Sequence, residues 1–444
     1  MALYDSFFYA KKVNQLFSEK GLIGAMLQFE AALAQAQGAC GLVPTPSVLS
    51  IKNACKTQFI DIKQLKEDIV LSGNAAIPLV KQLTIVVKKH DAEAAKYVHF
   101  GATSQDVIDT AMVLQIQKAF VFFDKNLKNL QKSLENLTKT HRQTLMMGRT
   151  LMQQARPITF GLKTALWLDG INRSVARLAE IKKRVLVLQL GGAVGSLAGM
   201  DGKGLAVAQE MSKILGLNTP SVFWHTQRDN MAEVATTLGI LMGTMGKIAK
   251  DITLLMQTEV AEVFEGAAEG KGGSSTMPHK RNPVTATAIL ANANRVPALV
   301  SSMLSAMGQE HERSSGLWHS EWAILPEIIQ LTAGALEKCT DLIAHLEVDK
   351  NRMLGNINAT KGLIFAENVS LALAVHIGKA DAHDLVEKAC KTAVSEQKYL
   401  KDILEKNEVV TQFLPPSVFD ALFKAENALG LSLDIIDNIL NKCH

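Results

Sequence analysis

A run of apolar residues at heptad spacing is the feature that most restricts how this chain can fold. Its members recur in steps of three and four: Val113, Ile116, Phe120, Phe123, Leu127, Leu130, Leu134 and Leu137. This spacing places them on one face of a single helix. A helix over residues 107–141 would be about 50 Å long. Helices in globular proteins average about a third of that length. Such a helix needs partner helices along its length, so the chain is predicted to form a helical bundle.

Further long apolar patterns support this prediction. They run from 160 to 189, from 224 to 264, from 285 to 306 and from 324 to 346, and a shorter pattern over 21–36 precedes them. No segment has a convincing strand pattern. The sequence therefore predicts an all-α protein with an N-terminal helical domain (1–106), a central bundle of long helices (107–350) and a C-terminal helical domain (351–444). The long apolar seams also favour oligomerisation.

Composition restricts the compartment and the partners. No apolar run reaches the ~20 residues that span a bilayer, and the N-terminus lacks the pattern of a signal peptide. The five cysteines are scattered without a close pair, which argues against a disulfide or zinc scaffold. A formal charge of +4 with 5% aromatic residues does not indicate nucleic-acid binding. These features predict a cytoplasmic protein with no membrane or nucleic-acid partner.

Common cofactor and metal motifs are also missing from the sequence. It has no His-Glu-x-x-His zinc motif and no Gly-x-Ser-x-Gly nucleophile motif. The glycines of 191–196 follow no strand pattern and precede no Gly-Lys-Ser, so they predict a tight turn with exposed backbone amides rather than a phosphate loop. We therefore expect no cofactor and no metal.

Residues that can hold carboxylates and move protons occur at the breaks between helical patterns. The richest break spans 272–283, where glycines precede two serines, a histidine, two cations and an asparagine. Such a loop could close over an anionic substrate, although an ordinary turn between helices is an alternative. A second break contains His99, Thr103 and Ser104 immediately before the heptad run. The two hydroxyls could cap that helix or help its N-terminus to bind a carboxylate.

Taken together, these motifs resemble those of the fumarase/aspartase superfamily. The signature loop of that superfamily, Gly-Ser-Ser-x-Met-Pro-x-Lys-x-Asn, is matched at every fixed position: Gly273, Ser274, Ser275, Met277, Pro278, Lys280 and Asn282. The segment 99–106 resembles its first motif region, and Thr150 and Gln153 lie in its second. The resemblance implies three helical domains and a homotetramer around a helical bundle, with each active site shared among subunits.

The resemblance also implies roles for individual residues. Ser274 would transfer the proton at the carbon next to a carboxylate, with Lys280 as a nearby donor and His99 in contact with the substrate. The remaining substrate-binding candidates are Thr103, Ser104, Thr150, Gln153, Ser275, Met277, Asn282, Arg228 and Arg313. For the two arginines, a salt bridge between helices is the alternative.

Position 151 separates two branches of the superfamily. Adenylosuccinate lyases usually carry a histidine there as a general acid, and Leu151 cannot protonate a leaving amine. The segments 71–81, 224–228, 255–260 and 318–322 are similar to the cycloisomerase branch, although Gln154 stands where many cycloisomerases have histidine. The resemblance thus implies a cycloisomerase that forms a lactone from the tricarboxylate 3-carboxy-cis,cis-muconate, in aromatic catabolism. An amine-releasing lyase such as adenylosuccinate lyase and a non-catalytic helical scaffold are the alternatives.

Overall fold

A computed structural model describes residues 3–267, 272–273, 277 and 279–441. It confirms the all-α class, since helices dominate the described residues and strands are few and short. The helices of the first half are α1 (Asp5–Phe8), α2 (Lys11–Leu16), α3 (Glu19–Ala39), α4 (Thr45–Ala54), α5 (Ile62–Ser72), α6 (Ala76–His90), α7 (Ser104–Thr140), α8 (Phe160–Val185) and α9 (Gly204–Leu215). Those of the second half are α10 (Asp229–Leu255), α11 (Val284–Ser305), α12 (Leu317–Ala344), α13 (Lys350–Asn358), α14 (Ala366–Ile377), α15 (Lys379–Ser395), α16 (Leu400–Leu404), α17 (Glu408–Phe413), α18 (Pro416–Leu422) and α19 (Ser432–Asn441).

The heptad run forms one helix, as predicted. Helix α7 covers Ser104–Thr140. It begins three residues before the predicted start at 107 and ends one residue before the predicted end at 141. Every heptad residue except Leu137 is buried. The shorter pattern over 21–36 is likewise helical: α3 starts after Ser18, whose hydroxyl accepts a hydrogen bond from the Gly21 amide at 3.2 Å. Local periodicity was therefore sufficient to predict both helices.

Two predictions about secondary structure are wrong. The pattern predicted to be helical as far as 264 stops being helical at Leu255, and the chain then turns over 256–260 and reaches Ala261, which has a positive φ of 50°. Val263–Phe264 (β3) then pairs antiparallel with Glu347–Val348 (β4). The prediction that no strands form also fails at 145–159, where Leu145–Thr150 (β1) and Gln153–Thr159 (β2) form an antiparallel hairpin.

The hairpin has a two-residue turn and one irregularity. Thr150 pairs with Gln153, so Leu151 and Met152 form the turn, and both have positive φ (48° and 66°). That combination is typical of a type I′ turn, which matches the right-handed twist of two strands. The register shifts between Met147 and Arg149, at a glycine whose added Cβ would lie 2.9 Å from the carbonyl oxygen of Arg156.

The described chain separates into two compact units. Unit 1 comprises Met1–Leu127, Arg173–Gly246 and Ala288–Lys338, and unit 2 comprises Lys128–Asn172, Lys247–Thr287 and Cys339–His444. Within unit 2, helices α14 to α18 enclose a hydrophobic core that includes Val369, Leu373, Leu400, Leu404 and Phe419. The three domains predicted from sequence, with boundaries at 106 and 350, stay a prediction. None of the helices in the described ranges is long and apolar enough to cross a membrane.

Candidate active site

The N-terminus of α7 is held in unit 1 by the carboxylate of Asp106. This buried side chain accepts hydrogen bonds from the backbone amides of Thr103 (3.0 Å), Gly191 (2.8 Å) and Gly192 (2.9 Å). Its Oδ1 also lies 2.8 Å from Nε2 of buried His225. The amides of both glycines are therefore bound by a carboxylate, and our prediction that the glycine turn exposes its amides is wrong for these two. One carboxylate thus joins the helix start, the glycine turn and the segment before α10.

His99 lies in the turn that leads into α7. Its Nδ1 is 2.7 Å from Oε1 of Glu30 on α3, and the Glu30 side chain is 1% exposed while that of His99 is 17% exposed. Burial alone would lower the pKa of His99. The charge and hydrogen bond of Glu30, with a smaller contribution from Asp106, outweigh burial and raise this pKa above its ordinary value. An imidazole held in this way favours its cationic form and keeps one edge partly open.

Thr103 and Arg313 contact each other beside this turn. Nη2 of Arg313 donates to Oγ1 of Thr103 and to the carbonyl oxygen of Ala193, both at 2.9 Å. Nε of Arg313 is buried and has no hydrogen-bond partner among the described residues. Ser104, the first residue of α7, is half-buried next to Thr103. Two of the predicted carboxylate ligands, 210 residues apart in sequence, are thus brought into direct contact.

Arg228 occupies a different environment from Arg313. Its guanidinium is buried and donates to Asp109 at 2.8 and 3.1 Å and to Glu321 at 3.0 and 3.2 Å. Trp318 donates to Asp109 at 2.9 Å, and Gln309 donates to Glu321 at 2.9 Å. Burial would lower the pKa of Arg228, but the two carboxylates raise it above its ordinary value. These contacts favour the salt-bridge alternative for Arg228 over a role as a substrate ligand.

The second motif region lies on the hairpin of unit 2. Thr150 and Gln153 flank its turn, and both are exposed. The preceding residue, Arg149, forms two hydrogen bonds, of 2.9 and 2.7 Å, with fully buried Glu262. Asn356 donates to the same carboxylate at 2.8 Å. This pairing fixes the end of β1 that leads into the turn, while the side chains of Thr150 and Gln153 stay exposed.

The signature loop is described only in part. Ser274 and Ser275, the central residues of our prediction, lie outside the described residues. Asn282 donates its backbone N–H to the carbonyl oxygen of Gly272 at 2.9 Å, and Gly272 has a φ of +69°. Lys280 donates its backbone N–H to the carbonyl oxygen of Met277 at 3.1 Å, and the side chains of both residues are exposed. Where the loop meets α11, Glu265 accepts hydrogen bonds from the backbone amides of Thr285 (3.1 Å) and Ala286 (2.8 Å), the second and third residues of that helix.

Unit 1 therefore brings four predicted residues to the start of α7: His99, Thr103, Ser104 and Arg313. Unit 2 carries the hairpin residues and the loop residues Lys280 and Asn282. Sequence reasoning missed Glu30 as a partner of His99. Its only signal was a charged residue within the apolar face of α3, four residues after buried Met26. Across the ranges that the structure describes, no group of three or more His, Cys, Asp or Glu side chains could hold a metal ion.

Comparison with known proteins defines the class. A family model described as Lyase matches residues 8–298, and a model described as Adenylosuccinate lyase C-terminus matches residues 362–439. The chain belongs to the fumarase/aspartase superfamily of lyases, as its motifs predicted, and it is an enzyme of that superfamily.

Particular relatives cover almost the full length of the chain. It is 50% identical to 3-carboxy-cis,cis-muconate cycloisomerase of Acinetobacter baylyi over 99% of this chain and 98% of the relative. The protein of the same name from Pseudomonas aeruginosa is 45% identical, with coverage of 100% and 96%. The crystal structure of 3-carboxy-cis,cis-muconate lactonizing enzyme from Pseudomonas putida matches with a TM-score of 0.95 and 42% identity, covering 99% of this chain and 98% of that one.

Proposed function

We propose that this enzyme is a cycloisomerase that converts 3-carboxy-cis,cis-muconate into a carboxymuconolactone. The observation that carries the proposal is its near full-length similarity to cycloisomerases of that name, at 45–50% identity. The proposed setting is the breakdown of aromatic compounds through the β-ketoadipate pathway. The residue at the hairpin turn agrees with this choice, because Leu151 cannot act as the acid that an amine-releasing lyase requires.

The proposed reaction rearranges bonds within one molecule. An oxygen of one substrate carboxylate forms a C–O bond to the far carbon of a double bond conjugated with another carboxylate. The π electrons move onto that second carboxylate, giving an aci-carboxylate, and a proton is then added to the carbon beside it. No atom leaves the substrate, so the enzyme must stabilise the transient negative charge and move one proton.

The start of α7 supplies groups suited to that charge. Arg313 is held by Thr103 and by the carbonyl of Ala193, and its buried Nε lacks a partner among the described residues. A buried cationic donor without an acceptor is costly, and a substrate carboxylate would satisfy it. The hydroxyl of Ser104 and the positive end of a 37-residue helix favour an anion at the same place.

The remaining roles are proposed from the superfamily motif. Ser274 would move the proton to or from the carbon next to the aci-carboxylate. Lys280 and Asn282 would hold that carboxylate, while Ser275, Met277, Thr150 and Gln153 would line the site. We further propose a cytoplasmic homotetramer with active sites shared between subunits. The four described cysteines, Cys40, Cys55, Cys339 and Cys390, are free thiols, which agrees with a reducing compartment.

An ultraviolet assay tests the reaction directly. Purified enzyme should remove the diene absorbance of 3-carboxy-cis,cis-muconate and leave adenylosuccinate unchanged. Adenylosuccinate is the relevant competitor because residues 362–439 match the Adenylosuccinate lyase C-terminus model. Turnover of adenylosuccinate with fumarate release, and none of the muconate, would refute the proposal in favour of an amine-releasing lyase.

Replacement of the proposed proton carrier tests the site. Ser274→Ala should lower kcat at least about 100-fold, because general acid–base catalysis typically contributes that much. Its thermal unfolding should match that of the unmodified enzyme. Ser395→Ala, at an exposed serine near the end of α15, is the matched control and should keep full activity. Full activity of Ser274→Ala would show that another group carries the proton.

Light scattering tests the proposed sharing of active sites between subunits. A monomer that is fully active would contradict it.

A further inference from the structure

Helix α3 holds the turn that carries His99 at two consecutive residues. Glu30 and Gln37 are seven residues apart, so they lie two turns apart on one face of α3, and both are buried. Glu30 contacts Nδ1 of His99 at 2.7 Å, and Nε2 of Gln37 donates to the carbonyl oxygen of Phe100 at 2.6 Å. A polar pair on an otherwise apolar helix face is therefore used to fix one short turn.

The backbone of this turn is restrained from the other side as well. His99 has a φ of 59°, which is uncommon for any residue with a side chain. Gly101 has a φ of +72°, and a Cβ added there would lie 2.8 Å from Cγ of Met200 and 3.0 Å from the carbonyl oxygen of Gly199. A turn held in this way keeps the imidazole in one orientation, and strained residues of this kind cluster at functional sites.

Packing alone does not account for the charge of Glu30. Its Oε2 is buried and has no hydrogen-bond partner among the described residues, so one of the two carboxylate oxygens carries a desolvation cost that no contact offsets. Burial and the charge of Glu30 together raise the pKa of the neighbouring Cys55 thiol, which stays protonated and adds no second charge. An apolar residue would fill this position without a desolvation penalty. The compensating feature is the contact with His99.

We propose that Glu30 is a positioning residue that keeps His99 protonated at Nδ1 and directs its Nε2–H toward a carboxylate of the substrate. The identity of that substrate rests on the proposed function, whereas the pairing itself does not. His99 would then help to neutralise one of three substrate carboxylates, beside Thr103 and Arg313. The Nε2 edge is free for this contact, since only Nδ1 of His99 has a hydrogen-bond partner within the described residues.

Among the residues that the structure describes, two carboxylates favour the cationic state of His99. Glu30 faces it from α3, and Asp106 acts on it from the start of α7. The thiol of Cys55, following α4, is kept protonated by burial and by the charge of Glu30, which together raise its pKa. Nε2 of His225 lies 2.8 Å from Oδ1 of Asp106. Two carboxylates on two helices therefore act on one imidazole, and Glu30 has the larger effect on its pKa.

The pH dependence of turnover tests the proposal. The pKa of His99 is raised, so the cation is lost only when the pH rises through that raised value, and kcat/KM should fall there. Glu30→Gln keeps the size of the side chain and a hydrogen-bonding group but removes the charge. This falling limb should therefore move to lower pH by about one unit or more, since removal of an adjacent opposite charge has an effect of that size. At pH values well below the falling limb of either enzyme, the kcat/KM of Glu30→Gln should agree with that of the unmodified enzyme within a few fold.

A matched control uses a glutamate of the same segment. Glu93 lies six residues before His99, and its exposed carboxylate pairs with Lys96. The pH profile of Glu93→Gln should coincide with that of the unmodified enzyme. An identical falling limb in Glu30→Gln and the unmodified enzyme would overturn the proposal. So would a limb that moves equally in Glu93→Gln.

A spectroscopic measurement separates this proposal from the proposed function. Ring-15N labelling of histidine, with His99→Asn to assign the signal, reports the titration of His99 in the unmodified enzyme without any substrate. A His99 pKa at or below the ordinary value of 6.5 would overturn the proposal whatever the activity. A raised value in an enzyme that does not turn over the muconate would uphold the pairing and reject the substrate.

Discussion

Replacement of Arg228 by methionine should destabilise this enzyme strongly at neutral pH. Arg228 forms ion pairs with Asp109 and Glu321, and the three side chains are 2–5% exposed. Methionine keeps most of the aliphatic stem but leaves both carboxylates without their cation. Trp318 and Gln309 each continue to donate one hydrogen bond, which compensates only in part.

The expected loss follows from burial. Removing one partner of a buried pair typically costs about 3–5 kcal/mol in the free energy of unfolding, because an uncompensated charge remains. Arg184→Met is the matched control. It breaks the pair with Glu233, in which the side chains are 57% and 30% exposed, and because solvent screens this pair the loss should be much smaller than for Arg228→Met. The two arginine substitutions differ in solvent exposure and in the number of carboxylates left without a cation, two buried ones for Arg228 and one partly exposed one for Arg184.

Glu321 makes the effect pH-dependent. Burial raises the pKa of Glu321 above its ordinary value of 4.5, although Arg228 opposes that rise. Between the ordinary and the raised value the folded form holds a proton that the unfolded form releases, so stability falls as pH rises through this window. Loss of Arg228 raises the folded pKa further. The destabilisation by Arg228→Met should therefore shrink as pH falls toward 4.5.

Urea-induced unfolding, followed by circular dichroism at one fixed protein concentration, measures these free energies. Fixed concentration matters because association of subunits adds to apparent stability. Equal losses for Arg228→Met and Arg184→Met at neutral pH would refute the argument from burial. If the free energy lost on Arg228→Met is constant with pH, Glu321 is not the group that holds a proton in the folded form and releases it on unfolding.

Two further predictions concern a turn and a titration. Gly101→Ala should lower the free energy of unfolding by about 1 kcal/mol or more, because φ is +72° and the added Cβ meets Met200. Gly355 is exposed on α13 with open space around it, so Gly355→Ala should raise the free energy of unfolding by up to about 1 kcal/mol. Thermal unfolding distinguishes them, and shifts of the same sign would contradict this reasoning. Burial and the charge of Lys350 lower the pKa of His141 to about 4, so the unfolded form binds its proton first and stability should fall as pH drops from 6.5 toward 4. His141→Gln should reduce this fall in acid-unfolding measurements, and an unchanged slope would count against it.

The long helices were predictable because local periodicity determines them. Helix α7 needed no information beyond the spacing of its own apolar residues. The end of α10 was not predictable in this way, because the apolar pattern continues past Leu255 while the chain turns, and Glu262, seven residues beyond the helix, pairs with Arg149, 113 residues earlier in the sequence. The hairpin was missed because β1 contains Leu145-Met-Met-Gly-Arg-Thr150, with one β-branched residue and no clear alternation.

The candidate site was predictable to a similar degree. The motif at 99–106 identified His99, Thr103 and Ser104, and the structure adds that Arg313 contacts Thr103. What a linear pattern could not reveal was which polar residues pair across the fold. The partner of His99 lies 69 residues away and the two partners of Arg228 lie 93 and 119 residues away, so only a folded chain brings them together.

The turn of the β1–β2 hairpin has a consequence for how this chain has been selected. A turn that only reversed the chain would be expected to contain Asn-Gly or a similar pair, which adopts positive φ easily. Leu151 and Met152 instead hold positive φ with side chains that are 96% and 69% exposed in the isolated chain. Residues with a Cβ cost roughly 1–2 kcal/mol each in that conformation. Two bulky apolar residues retained at such a position indicate selection for a property other than the folding stability of a single chain.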